Sequence, residues 1–223
     1  IYSHKVLASQ KSLQNHSTKL MPLPSYIKSI KQDNYNLSED FTEYFVFPKL
    51  VSETQNEIDK NKTATSIEEL LQVLNEKKKL IVSGATNSGK TTLLKYLYCS
   101  LTNDKTPLFL SADGKQRIKA QNFIRHLFEE QYGDDRTLFE KYEQLDLDKK
   151  VLIVDGWDLL NIKNRSAIIQ KIAESFGYVI LSVRNSRTNL VEAIKGEIGE
   201  QSQYFELHIK PFFTEKRNEL VRN

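Results

Sequence analysis

Between residues 65 and 210 the chain alternates short apolar runs with stretches of helical spacing. Leu80-Ile81-Val82-Ser83 reads as a buried strand, and so do Leu108-Phe109-Leu110, Val151-Leu152-Ile153-Val154 and Tyr178-Val179-Ile180-Leu181. Tyr204 to Ile209 is a last candidate strand. Runs of this length, apolar at every position, fit strands covered on both faces. Between them, Ile67, Leu70, Leu71 and Leu74 recur at helical spacing, as do the apolar positions of Phe123–Phe128 and Ala167–Phe176. Ser66 is placed to cap the first of these helices, with Glu69 three residues on to reach back to the cap. Strands alternating with helices predict an α/β fold with a mainly parallel sheet. In such sheets ligands gather at the carboxyl ends of the strands. Upstream, Tyr44-Phe45-Val46-Phe47-Pro48 reads as a short extended segment ended by the proline. Residues 1–40 are polar and mixed, with Pro22 and Pro24 around one apolar patch.

The first strand runs into Gly84-Ala85-Thr86-Asn87-Ser88-Gly89-Lys90-Thr91, which matches G-x-x-x-x-G-K-[ST] at every fixed position. Leu93, Leu94, Tyr96 and Leu97 follow at helical spacing, so the motif lies between a strand and a helix, where its chemistry needs it. Glycines let the backbone curl so that successive N–H groups converge on phosphate oxygens, and the helix that starts there favours negative charge. Lys90 is placed to reach the β- and γ-phosphates and the Thr91 hydroxyl to coordinate Mg²⁺. The candidate nucleotide-binding set is Gly84 through Thr92, with Thr92 as the next residue of the helix start.

Two other strand ends are polar. Val151–Val154 ends in Asp155, a position from which a carboxylate can hold the magnesium shell together with Thr91. Asp158 follows three residues later and has two readings: it orients or deprotonates an attacking water, or it caps a helix. Trp157 between them is expected to be packing. The strand from Tyr178 ends in Ser182-Val183-Arg184. Beside the Asp155 strand, the Arg184 guanidinium would reach the γ-phosphate; otherwise it is a surface arginine in a solvent salt bridge. Arg187 is a second candidate with weaker placement.

Composition narrows the classes. The chain has 223 residues, 39% hydrophobic and 27% charged, enough for one good core. A net charge of +3, from 32 basic and 29 acidic residues, does not indicate a nucleic-acid partner. Lys77-Lys78-Lys79 and Lys149-Lys150 each precede an apolar run and are expected to be solvated strand entries. His4 and His16 have no companions at metal-ligand spacing. One cysteine, Cys99, precludes an internal disulfide, fits a cytoplasmic location, and falls in an apolar helical pattern as a small hydrophobe. No apolar run approaches the length of a membrane span. The chain opens on Ile1 and its only methionine is Met21, so a fragment of a longer protein is expected.

Together, Gly84–Thr91, Val151-Leu152-Ile153-Val154-Asp155-Gly156-Trp157-Asp158 and Leu181-Ser182-Val183-Arg184 resemble a STAND-class NTPase of the NACHT group. Phe205-Glu206-Leu207-His208-Ile209-Lys210-Pro211-Phe212, followed by Thr214-Glu215, resembles the exit from that core towards a small helical domain. The resemblance implies a P-loop NTPase three-layer sandwich, ATP/ADP and Mg²⁺ as cofactors, and catalytic roles for Lys90, Asp158 and Arg184. It divides the chain into 1–64, a linker or the tail of an upstream effector; 65–210, the NTPase domain; and 211–223, the start of a helical domain. It further implies a slowly hydrolysing switch whose self-association is controlled by nucleotide and by an unknown trigger, a design that serves antiviral defence in many bacterial members. One departure counts against fast turnover: Leu159 stands where the family's second motif usually has Glu. Rival readings are an AAA+-type ATPase acting on nucleic acid, which would want an acidic pair and a basic groove, and an ATP-binding scaffold without turnover.

Overall fold

The computed structural model describes residues 19–32, 40–52, 62–112, 122–160, 165–184 and 204–211. His4, His16, Arg187, Phe212, Thr214 and Glu215 lie outside them, as does the helix expected beyond Pro211. The described strands are β1 (Leu50–Val51), β2 (Thr63–Ala64), β3 (Lys79–Gly84), β4 (Thr106–Ser111), β5 (Lys150–Asp155), β6 (Tyr178–Arg184) and β7 (Phe205–Ile209). The described helices are α1 (Pro24–Lys31), α2 (Ile67–Lys77), α3 (Lys90–Leu101), α4 (Phe123–Tyr132), α5 (Arg136–Glu143) and α6 (Arg165–Ser175).

The strands form one seven-stranded sheet in the order β2-β1-β7-β3-β6-β5-β4. From β7 to β4 every pairing is parallel; β1 joins β7, and β2 joins β1, antiparallel. Because successive side chains of a strand face opposite ways, each apolar run feeds two cores. Ile81, Leu108, Leu110, Leu152, Val154, Val179, Leu181 and Val183 pack with α4, α5 and α6. Leu80, Val82, Phe109, Val151, Ile153, Ile180 and Leu207 pack with α1, α2 and α3. The result is an α/β three-layer sandwich with a mainly parallel central sheet. None of the described helices is long and apolar enough to cross a membrane.

Local signals explain several boundaries. Ser66 accepts from the Glu69 N–H at 3.4 Å. The Glu69 carboxylate reaches one residue further back than a capping box requires, to the Thr65 N–H at 2.6 Å and hydroxyl at 2.9 Å. Asp135 caps α5 through the N–H groups of Thr137 and Leu138. Pro24 opens α1, where its missing N–H costs nothing.

Some expectations need correction. Tyr44–Pro48 does not pair as a strand; pairing begins at Leu50. The aromatic side chains are used against α3 instead: Phe45 stacks on Tyr96 at 4.4 Å between ring centroids, with Phe41 and Phe47 edge-on to Phe45. Lys150 is no solvated entry residue. It is buried, its ammonium donating to the Glu143 carbonyl at 2.8 Å above the Tyr142 ring. Burial pushes its pKa below the ordinary lysine value. Lys78 stays part-exposed, as expected of a strand entry, while donating to the Tyr178 hydroxyl at 2.7 Å. Cys99 is half-buried against the α1–α3 core, and desolvation pushes its thiol pKa up, as befits a packing residue.

Candidate functional site

The carboxyl ends of β3, β5 and β6 lie side by side, and α3 begins over them. β3 ends at Gly84, after which the chain turns tightly: the Ser88 N–H returns to the Ala85 carbonyl at 3.2 Å. Asn87 has φ 61° and Gly89 φ 86°, both left-handed, so two successive bends bring the chain into α3. Gly89 occupies the N-cap, and no side chain caps the helix. The first-turn N–H groups of α3 are thus left to a ligand or to water, a geometry that favours an anion. Lys90 lies along the inside of the turn, its ammonium donating to the carbonyls of Gly84 at 2.8 Å and Ala85 at 2.7 Å. The Ser88 hydroxyl is 3.4 Å from the same nitrogen.

Opposite the loop, the Thr91 hydroxyl donates to Asp155 Oδ2 at 2.7 Å across 64 residues of sequence. Thr91 is in the first turn of α3 and Asp155 is the last residue of β5, so this bond joins the two motifs. Asp155 continues the strand face of Val151 and Ile153, which looks towards α3. Strand period and helix position together explain the contact.

Between β3 and β5 runs β6, with Val82 opposite Ser182 and Gly84 opposite Arg184. Ser182 is fully buried. Its hydroxyl donates to Asp155 Oδ1 at 2.7 Å and accepts from the Gly156 N–H at 2.8 Å. Ser182 was not among the expected site residues; a lone serine inside an apolar strand, two residues before Arg184, was the available signal. Gly156 has φ 77°, where an added Cβ would lie 3.2 Å from Ala112 Cβ and 3.3 Å from Leu159 Cδ1. This left-handed turn swings the chain into a short 3₁₀ turn, Trp157–Leu159.

Within that turn Trp157 is buried packing. Asp158 is a member of the 3₁₀ turn rather than the N-cap of an α-helix. Its Oδ2 accepts from Arg184 Nε at 3.1 Å, and only 8% of its side chain is exposed. Its Oδ1 is buried without a protein partner. Arg184 is 45% exposed and sits at the end of β6, next to the phosphate loop. It is paired with Asp158, the acid expected to handle water, and an ion pair at a half-exposed arginine is compatible with both readings of Arg184. Leu159 is exposed beside them.

Electrostatically the site is balanced around one ammonium. Burial holds the Lys90 pKa below the ordinary lysine value, Asp155 and Asp158 pull it back up, and Arg184 pushes it down. The oxygens of Thr91 and Asp155 are hard donors of the kind Mg²⁺ prefers, and Mg²⁺ is commonly held by one or two carboxylates plus substrate phosphates rather than by an all-protein cage. Among the described residues no cluster of His, Cys, Asp and Glu would hold a metal unaided. Thr86 and Thr92 lie in the loop and the first turn of α3 respectively.

No protein-family model matches the chain, and no curated protein does. Solved structures do. A closed-state reconstruction of Hsp104 with ATPγS and FITC casein matches with TM-score 0.46 and 13% identity over 70% of this chain and 28% of that one. Drosophila ORC bound to AT-rich DNA and Cdc6 gives 0.43 and 14% over 68% of this chain and 56% of that one. Drosophila ORC bound to DNA gives 0.42 and 14% over 68% and 93%. The chain thus spans well under two thirds of the length of the first two. Likenesses at this level do not bear on the site, whose description rests on this chain's own residues.

Proposed function

We propose that this chain is an ATP-binding, Mg²⁺-dependent switch domain of the STAND/NACHT kind. Residues 65–210 would form the NTPase core, with α1, β1 and β2 of the preceding segment packed on it and extending the same sheet. The observation that carries the reading is the Thr91–Asp155 bond of 2.7 Å. It places the hydroxyl of a complete phosphate-loop motif against the acid at a strand end, two oxygens suited to one magnesium ion. Backbone N–H groups of Gly84–Thr92 and the Lys90 ammonium would hold the phosphates. Bound Mg²⁺ would neutralise charge on the β- and γ-phosphates.

In this reading turnover is slow, and the residues around the site support that. Asp158 is the acid expected to position water, and one of its oxygens is engaged by Arg184. The other is buried without a protein donor. Arg184 therefore has two anionic claimants, Asp158 and the γ-phosphate. A guanidinium shared in this way ties the position of the acid to the presence of that phosphate. The exposed Leu159 adds no second acid, which favours a switch or a non-hydrolysing scaffold over a motor. Nucleotide-controlled self-association follows from this reading for the full-length protein.

The test is Mg²⁺-dependent ATP binding by the purified chain beside Lys90→Ala, with phosphate release followed in the same samples and DNA added in one arm. Binding by wild type that is lost in Lys90→Ala, with little phosphate release, supports the switch. Equal binding by both proteins removes the loop as the site. Strong stimulation of turnover by DNA moves the assignment to an ATPase acting on nucleic acid.

A further inference from the structure

We propose that Ser182 is a positioning residue that sets the orientation of Asp155 for the metal and holds the Gly156 turn that carries Asp158; this rests on the nucleotide-switch reading above. A hydroxyl buried in the middle of a strand is costly unless both its proton and a lone pair are used. Here both are: the proton goes to Asp155 Oδ1 at 2.7 Å, and the oxygen takes the Gly156 N–H at 2.8 Å. Tyr178, Val179, Ile180, Leu181 and Val183 of the same strand are all buried apolar residues. Ser182 is therefore the one residue of that run whose side chain makes no apolar contribution to either core.

The geometry gives it a specific task. A carboxylate on a single Cβ–Cγ bond rotates unless both oxygens are held. Ser182 holds Oδ1, which leaves Oδ2 turned to Thr91 at 2.7 Å. Without Ser182, Asp155 keeps only the Thr91 bond, and metal entry must then order the carboxylate as well as displace water from it. Groups that orient a metal ligand in this way typically change metal affinity about 10–100-fold when removed. The second bond fixes the start of the turn from Asp155 to Asp158. One hydroxyl thus couples the metal side of the site to the water side.

The experiment measures ATP binding by the full chain across a Mg²⁺ titration, for wild type, Ser182→Ala and Ser182→Thr, with affinity in EDTA and thermal melting without nucleotide alongside. Ser182→Ala is expected to raise the Mg²⁺ concentration for half-maximal binding about tenfold, while affinity in EDTA stays within about twofold, because the phosphate-loop amides and Lys90 are untouched. Ser182→Thr keeps the hydroxyl and is expected to stay within about threefold of wild type on the Mg²⁺ axis, a change of under 1 kcal/mol. Wild-type Mg²⁺ dependence in Ser182→Ala overturns the proposal, as does equal impairment of the Ala and Thr variants, which would mark a packing effect. If Ser182→Ala does not fold, Ser182→Cys must show the Mg²⁺ shift; a normal dependence there overturns the proposal equally. Absence of Mg²⁺-dependent binding in wild type sinks the nucleotide reading itself, a result distinct from all of these.

Discussion

Replacing Gln131 by methionine tests how the outer strand of the sheet is finished. β4 has β5 on one side and no further strand among those described. A bare strand edge facing a helix would leave backbone groups buried without partners. Gln131, in the last turn of α4 and fully buried, fills that role: its amide donates to the Phe109 carbonyl at 2.8 Å and accepts from the Phe109 N–H at 2.9 Å. Tyr132 adds a bond to the Pro107 carbonyl at 3.0 Å. Methionine has nearly the same volume, so the cavity contribution is small. Two buried backbone groups lose their partners, at about 1–3 kcal/mol each, for a total of about 2–6 kcal/mol. Set against a net stability of about 5–15 kcal/mol for a typical domain, this is a large share. Urea unfolding followed by the single tryptophan, Trp157, buried in the core, should show the midpoint falling by about 1–3 M for a slope near 2 kcal/mol/M. Gln131→Glu supplies the control. Its protonated carboxyl can replace both bonds, whereas its carboxylate can only accept. Burial raises the folded-state pKa above the unfolded one, so its stability should approach wild type below the ordinary Glu range and fall away as pH rises through the raised value. A loss below about 1 kcal/mol in Gln131→Met would refute the edge-capping argument.

The remaining predictions concern the site. Gly156→Ala and Gly89→Ala both force alanine into left-handed backbone, at about 1–2 kcal/mol; but a Cβ at Gly156 meets Ala112 at 3.2 Å, whereas one at Gly89 meets nothing within 4 Å. Thermal melting should therefore rank Gly156→Ala as the less stable, and equal melting would contradict the crowding. Lys90 is expected to make stability depend on alkaline pH in the absence of nucleotide. Its folded-state pKa is depressed by burial, so between that value and the ordinary lysine value near 10.4 the unfolded chain binds more protons. Stability rises as pH climbs through that window, and the penalty is fully present below it. Denaturant midpoints of wild type and Lys90→Ala across pH 8–10.5 check this; parallel profiles would show that the part-buried ammonium carries no such penalty.

Periodicity along a chain records which way side chains face and says little about which strands are neighbours. The alternation of Val151 and Ile153 with Leu152 and Val154 was therefore sufficient to expect a sheet covered on both faces, and the two cores follow it residue by residue. The insertion of β6 between β3 and β5 is not written in any local pattern, because parallel neighbours are joined by long crossovers rather than by tight turns. The aromatic run at Tyr44–Pro48 illustrates the opposite failure. Strand propensity measures how well a side chain packs on a half-buried surface, and Phe45 found that surface on α3 through Tyr96 without backbone pairing. β1 and β2, two residues each, are too short for any alternation to register.

The same distinction runs through the site. Gly84–Thr91 was legible because its chemistry is carried by consecutive residues, and Asp155 because an acid closes an apolar strand. Ser182 was not, since a serine inside a strand acquires a role only from what the neighbouring strand presents, here Asp155 and the Gly156 N–H. Asp158 and Arg184 were each singled out on separate grounds, one for water and one for phosphate. The sheet order is what makes them a pair, by setting the ends of β5 and β6 side by side. That pairing changes the chemistry expected of both. An acid held by a guanidinium is oriented by it, and under the proposed reading the γ-phosphate would compete with that acid for the guanidinium. Under the switch reading proposed above, this coupling would trade speed for sensitivity to the nucleotide's third phosphate.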